Sequence, residues 1–165
     1  MKSNVRTICV FGIMLALYVV LSSFLHIPTG IGNTWLDMGY IVFGFMLACA
    51  GPWAAIIGVA GVFLENVMFA GWISYSWMAG QLVIGIVCGL TYQKVGNKIL
   101  VTIISVLACL AGVGFVKTAI EVALGYGVWA VKLPKNIIIS LVDCVTLMVG
   151  YSLAQLPQLK KVTGR

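Results

Sequence analysis

Four ionisable side chains interrupt apolar stretches of this sequence: Glu65, Lys117, Glu121 and Asp143. Lys117 and Glu121 are four residues apart, the spacing at which two side chains share one helical face and can pair. Inside a membrane span each such group costs at least a few kcal/mol, so it is read as lining a cavity or pathway instead of facing lipid. Pairing of Lys117 with Glu121 would leave Glu65 and Asp143 without a local cation, and so a net acidic site that favours ligands with N–H donors or positive charge. A carboxylate accepts two parallel hydrogen bonds, which suits the amidine-like edge of an aminopyrimidine, pterin or deazapurine. Asn66, Asn136 and Gln81 add amide groups at a similar level. Trp35, Trp72, Tyr75 and Trp77 fall in or beside loops, where most such rings mark the membrane interface and one or two could stack on a flat heterocycle.

These residues need a scaffold, and composition names its class. Of 165 residues, 62% are hydrophobic and only 8% charged, with mean hydropathy +1.12, a balance that soluble globular domains do not approach. The expected fold is all-α: a polytopic bundle of six transmembrane helices in a single domain, 1–165, with no room for an ATPase domain. The formal charge of +6 does not point to nucleic acid, because the basic residues flank apolar segments instead of forming a patch. Five scattered cysteines without a CxxC and a single histidine, His26, speak against a metal site, and no cofactor is implied.

Apolar runs and their breakers place the helices at about 7–25, 35–50, 53–70, 76–92, 99–124 and 135–156. The first run is too long for a signal peptide and reads as a retained helix. His26 to Asn33 is a Gly/Pro-rich loop, and Gly51-Pro52 breaks the second run from the third. With the N-terminus cytoplasmic, Lys2, Arg6, Lys94, Lys98, Lys160, Lys161 and Arg165 fall inside, against Lys132 and Lys135 outside; both termini are therefore expected in the cytoplasm. Small residues at packing spacing, Gly12 and Ala16, Gly44 and Ala48, Gly85 and Gly89, would let helices approach closely.

A rise of about 1.5 Å per residue puts Glu121 about 6 Å, Lys117 about 12 Å, Asp143 about 13 Å and Glu65 about 8 Å below the outer ends of their helices. All four share the outer half, and the inner half has no ionisable residue. That distribution favours a pocket over a through-pore.

With this topology, the run Trp35-Leu-Asp-Met-Gly-Tyr-Ile-Val-Phe-Gly44 leading to Gly51-Pro52-Trp-Ala-Ala55 resembles the substrate-binding S components of energy-coupling factor (ECF) transporters over nearly the whole chain. In that family a polar D-x-x turn enters the second helix and G-P-x-x-G/A opens the third. Gly12-Ile-Met-Leu-Ala16 stands where the family carries A-x-x-x-A on its first helix. The resemblance implies a bacterial or archaeal plasma-membrane protein, multi-pass, that captures a water-soluble vitamin or precursor from outside. It also implies partners, a membrane coupling subunit docked at Gly12 and Ala16 and two ATPase subunits, with no enzymatic activity of its own. The nickel and cobalt members carry histidine at position 2, where this chain has Lys2. Two other readings stand beside it: a stand-alone ion-coupled small-molecule transporter, in which Glu65 and Asp143 would exchange protons, and a non-transport structural membrane protein.

Overall fold

The computed structural model describes residues 2–28 and 35–156, with side chains placed for all of these except residues 2–7, His26 and Ala70. Most of the expected loop from His26 to Asn33, together with Lys160, Lys161 and Arg165, lies outside the described residues.

The first helix, α1, spans Lys2–Phe24 and begins ahead of the expected Thr7. Two short strands follow, β1 (His26–Pro28) and β2 (Trp35–Asp37), paired antiparallel with Ile27 opposite Leu36. The second helix was expected from Trp35, but α2 begins only at Gly39 and runs Gly39–Ala50. Asp37 explains the delay, because its Oδ1 accepts a 2.8 Å hydrogen bond from the Gly39 backbone N–H. Aspartate used this way offers the backbone an alternative to the helical ladder, so the chain turns before it coils.

Gly51 then adopts φ +64°, a left-handed conformation that side-chain-bearing residues rarely take, and it ends α2. A 3-10 turn, Gly51–Trp53, leads into α3 (Ala54–Glu65), which continues as a π-helical turn over Asn66–Ala70. After Gly71 comes α4 (Tyr75–Tyr92). The next helix starts at Asn97, whose side chain accepts from the Ile99 N–H at 3.0 Å. It comprises α5 (Lys98–Cys109), a π-helical stretch over Leu110–Lys117 and α6 (Thr118–Ala123) in one unbroken run.

The last helix, α7, spans Trp129–Ala154 and contains Pro134, which sequence reasoning had placed just before its start. Proline removes one i to i−4 hydrogen bond, here the one that would reach Ala130. Trp129, Ala130 and Val131 are exposed, so the carbonyl left over lies at the surface of the helix end. That location lets the helix extend past its proline toward Gly127.

By length and composition, three helical stretches can cross a membrane: Gly39–Phe69, Lys98–Ala123 and Trp129–Ala154, with Ile8–Phe24 a shorter apolar segment. Gly51 divides the first into two legs, both packed on α1. The outward faces remain apolar, as Ile13, Ile56, Leu107 and Val145 are all more than half exposed, consistent with lipid as their solvent.

The closest packing is between α2 and α7. A Cβ at Gly44 would collide with the Leu147 carbonyl oxygen, and one at Gly150 with the Ile41 carbonyl oxygen, so the two backbones touch. Ala48 is buried on α2 as well, and Gly85 and Gly89 of α4 meet Ala55 and Pro52, so two of the three small-residue pairs lie at helix contacts. Gly12 and Ala16 are exposed. Phe43 anchors the core with its ring edge-on to Tyr18 at 6.4 Å and to Tyr40 at 6.2 Å, among Leu47, Ile84, Val101, Val113 and Leu147, none more than 1% exposed.

Candidate functional site

The polar side chains that the apolar helices cannot satisfy converge at one end of this bundle, around a cavity of about 460 Å³. That size is typical of small-molecule sites, roughly 300–1,000 Å³. Each wall comes from a different part of the chain. Tyr18 reaches it from α1, Trp35 and Asp37 from β2, Glu65 and Asn66 from the end of α3, and Trp72 from the following loop. The opposite wall holds Trp77 and Gln81 of α4 and Lys117 and Glu121 of the long helix. Down α7 run Lys132, Asn136, Ile139 and Asp143, with Lys135 beside them. Spacings of four, three and four put those four residues on one helical face.

Two π-helical segments help to aim this set. Asn66 opens the one that ends the α3 leg, and Lys117 closes the longer one after α5. A π turn changes the rotation per residue and so turns a side chain away from the face that an α-helix would give it; such turns are frequent at functional sites.

Around Lys117 the lining is densely partnered. Lys117, 4% exposed, donates through Nζ to Asn136 Oδ1 at 3.0 Å and lies 3.5 Å from Glu121 Oε1. It also sits 3.9 Å from the centre of the Trp77 ring, within cation–π range. Asn136 Nδ2 donates to Thr118 Oγ1 at 2.9 Å and to Glu121 Oε2 at 3.4 Å. Lys132 adds a second ion pair to Glu121, 3.2 Å from Oε2. Glu121 thus bridges two lysines.

The rest of the lining is more acidic and only partly partnered. Both oxygens of Asp37 accept from Ser22 Oγ at 2.8 Å, in addition to the Gly39 N–H. Gln81 donates from Nε2 to the Tyr18 hydroxyl at 3.1 Å, but its Oε1 has no hydrogen-bond partner among the described residues, and neither has Asn66 Nδ2. Asp143 is 1% exposed, and both of its carboxylate oxygens lack a partner among the described residues. The Tyr40 hydroxyl is close enough to interact with the Asp143 carboxylate, and Lys117 adds a positive charge nearby, but among the described residues no hydrogen bond of ordinary geometry forms at either oxygen or at the Tyr40 hydroxyl. A buried acceptor without a donor costs about 1–3 kcal/mol, more when charged. In a native fold such a group is a natural place to look for a ligand contact.

Of the residues singled out in the sequence, Glu65, Asn66, Gln81, Lys117, Glu121, Asn136 and Asp143 all line this cavity, and so do the rings of Trp35, Trp72 and Trp77. Tyr75 does not. It is 63% exposed and lines a smaller, adjoining cavity with Tyr126 and Leu124, one that shares Trp72, Glu121 and Lys132 with the first. Sequence reasoning missed Tyr18, Asp37, Lys132 and Lys135 as cavity residues. In the sequence Asp37 reads only as a polar residue near the start of the second apolar run, and the two lysines only as topology markers. The spacing of Lys132 with Asn136 and Asp143 would have found one of them had the last helix been started before Pro134.

A larger cavity, about 610 Å³, lies around Tyr92, Lys94, Lys98 and Gln155, and a groove of about 720 Å³ lies between Thr102 and Leu156. The first is formed at the Gln93–Lys98 turn, and the second is an apolar outer surface. Neither contains a buried polar side chain left without a partner, and the convergence of such groups selects the smaller cavity as the candidate site.

Comparison with known proteins agrees with the fold. The family model described as "ECF-type riboflavin transporter, S component" matches residues 2–154. The chain belongs to that family. Curated relatives of this S component include UPF0397 proteins from Enterococcus faecalis, 37% identical over 94 residues (56% of this chain and 51% of the relative). Another, from Clostridium perfringens, is 34% identical over 89 residues, 53% of this chain and 48% of the relative. The chain thus spans about half the length of the curated relatives it matches. The crystal structure of FolT bound with folic acid is similar at TM-score 0.70 and 21% identity, over 93% of this chain and 94% of FolT. This S component therefore shares the FolT fold, and its family and apolar helices make it a membrane protein.

Proposed function

We propose that this chain is the substrate-binding subunit of an ATP-driven ECF importer in a cell membrane, crossing it six times with both termini in the cytoplasm. In this reading α2 and α3 are separate spans joined at Gly51, and the cavity opens outward. It captures a small water-soluble vitamin or vitamin precursor built on a nitrogen heterocycle. A membrane coupling subunit, docked on the α1 surface at Gly12 and Ala16, and two ATPase subunits would supply the transport step. The observation that carries the proposal is the gathering of Glu65, Asn66, Gln81 and Asp143 around one cavity of ligand size, with acceptors and donors still open.

Within this scheme, Trp35 and Trp72 at the mouth stack on the ring of the ligand, the amides of Asn66 and Gln81 read its polar edge, and Asp143 accepts its N–H groups at the base. Lys117, Glu121 and Asn136 form the wall that these contacts press against.

Mass spectrometry of small molecules extracted from the purified protein tests the capture role; a heterocyclic vitamin or precursor at near-equimolar amount is the expected result. Reconstitution tests the transport role. Uptake of that molecule into proteoliposomes should require the coupling and ATPase subunits together with ATP, and uptake by the chain alone, driven by a proton gradient, would refute it. Docking is tested by Gly12→Leu, since a Cβ there meets nothing within 4 Å and the fold accommodates the change. The variant should bind ligand but fail to co-purify with the coupling subunit.

A further inference from the structure

The charges around the cavity are segregated, and this carries information about the ligand that size and burial alone do not. Asp37, Glu65 and Asp143 come from three different elements, and no lysine or arginine lines the cavity beside them on β2 or α3. Lys117, Lys132 and Lys135 line the same cavity with a fourth carboxylate, Glu121, and Lys132 and Lys135 share α7 with Asp143. The lining thus carries four formal negative charges, Asp37, Glu65, Glu121 and Asp143, and three positive ones, Lys117, Lys132 and Lys135.

The two poles lie along α7. Lys132, Asn136, Ile139 and Asp143 form one stripe, and the eleven residues from Lys132 to Asp143 correspond to about 16 Å of helix axis. Lys132 is 28% exposed at the side chain, and Lys135 is exposed with no ion-pair partner among the described residues. Asp143 is buried at the other end. The positive pole is thus at the mouth and the negative pole at the base.

The open hydrogen-bonding groups sharpen the picture. Asn66 and Gln81 are amides whose oxygen and nitrogen can exchange places by a flip, so each adapts to a donor or an acceptor. A carboxylate has no such freedom. Asp143 has the Tyr40 hydroxyl beside it but no completed hydrogen bond at either oxygen among the described residues, so it can still accept two donors side by side. A simple organic cation would satisfy Asp143 but meet like charge at the mouth, and a simple anion would suit the mouth but be repelled by the acidic side.

We infer that the ligand is bipolar: a flat nitrogen heterocycle whose amidine-type N–H edge is held by Asp143, bearing an anionic group, carboxylate or phosphate, held by Lys132 and Lys135 at the cavity mouth. This rests on the reading of the cavity as a capture site and adds the ligand's charge pattern and its orientation.

Isothermal titration calorimetry on the purified, detergent-solubilised protein tests it with four probes. Pterin-6-carboxylate carries both features, pterin lacks the anion, lumazine-6-carboxylate has an oxo group in place of the 2-amino donor, and riboflavin has neither the amino group nor the anion. Pterin-6-carboxylate should bind at least tenfold more tightly than each of the other three. Asp143→Asn should abolish the preference for the amino over the oxo compound and leave the preference for the carboxylate. The double variant Lys132→Gln/Lys135→Gln should do the reverse. Equal affinities across the panel, or preferences unchanged in the variants, would overturn the inference. Riboflavin binding more tightly than pterin-6-carboxylate would overturn it while leaving vitamin capture intact. Failure of every probe to bind a protein that unfolds cooperatively on heating would count against both. Should Asp143→Asn not fold, the comparison of the four probes on the unaltered protein still decides.

Discussion

Replacing Lys117 with methionine isolates what the buried ammonium does, because methionine keeps an unbranched apolar stem while removing the charge. Breaking a buried pair from one side costs about 3–5 kcal/mol when the partner charge is stranded. Here it is not stranded, since Glu121 retains Lys132 at 3.2 Å. What is lost is the donor to Asn136 Oδ1, about 1–3 kcal/mol for a buried acceptor left open, and the contact with the Trp77 face, about 1–2 kcal/mol for a desolvated cation–π pair. The expected destabilisation is therefore about 3 kcal/mol. Lys132→Met provides the control. Its ion pair reaches the same carboxylate but is 28% exposed on the lysine side, so its loss should cost about 0.2–1 kcal/mol. Unfolding in mixed detergent micelles, followed by tryptophan fluorescence, measures both, and a double-mutant cycle of Lys117→Met with Glu121→Gln extracts the pair's own coupling. Should Lys117→Met fall within about 0.5 kcal/mol of the unaltered protein, or match Lys132→Met, the assignment of Lys117 as a structural cation would be wrong.

Three further outcomes follow from the packing. Gly150→Ala places a methyl group against the Ile41 carbonyl, so α2 and α7 must separate, and thermal unfolding should report a loss of about 1–3 kcal/mol. Gly12→Ala, with nothing within 4 Å of the new methyl, should instead gain about 0.5–1 kcal/mol in the same measurement, as expected for replacing glycine inside a helix. Ser22→Ala removes the hydroxyl that donates to both Asp37 oxygens and should cost about 1.5–3 kcal/mol. Hydrogen exchange should localise that loss to β2 and the first turn of α2.

Much of this architecture is legible in the amino-acid sequence because lipid leaves a chain few options. Backbone polar groups must be satisfied within helices, so apolar runs and their Gly/Pro breaks report helices directly. The placement of Glu65, Lys117, Glu121 and Asp143 around one cavity could be anticipated for the same reason: charged groups in apolar helices have nowhere to go but toward each other or a cavity. The boundaries were harder. Pro134 reads as the residue just before a helix starting at 135, yet α7 begins six residues before that, at Trp129, and the shift concealed Lys132 as a member of the Asp143 face. Asp37 reads as part of a helical segment, but its carboxylate turns back onto the Gly39 N–H. The π-helical stretches that carry Asn66 and Lys117 leave no mark on hydropathy, since they change rotation without changing composition.

The four charges that stand out in the sequence separate, in three dimensions, by whether the protein itself answers them. Lys117 and Glu121 are answered several times over, by each other, by Asn136, by Lys132 and by the Trp77 ring. A group with that many partners gains little from a ligand, and its removal is felt in stability. Asp143 is the opposite case, 1% exposed and without a hydrogen bond of ordinary geometry at either oxygen among the described residues, with only the Tyr40 hydroxyl and the charge of Lys117 nearby. Retaining it lowers the stability of the empty fold, and a donor-bearing ligand would recover that loss on binding. Substitution should therefore act in two directions. Variants that break the Lys117 network should unfold more easily while keeping their ligand preference, whereas Asp143→Leu, which removes an unanswered buried polar group, should hold or raise stability while abolishing ligand binding. Parallel melting and titration of Lys117→Met and Asp143→Leu would show this crossed pattern, and a loss of both properties in both variants would mean that the division between answered and unanswered charges does not govern the site.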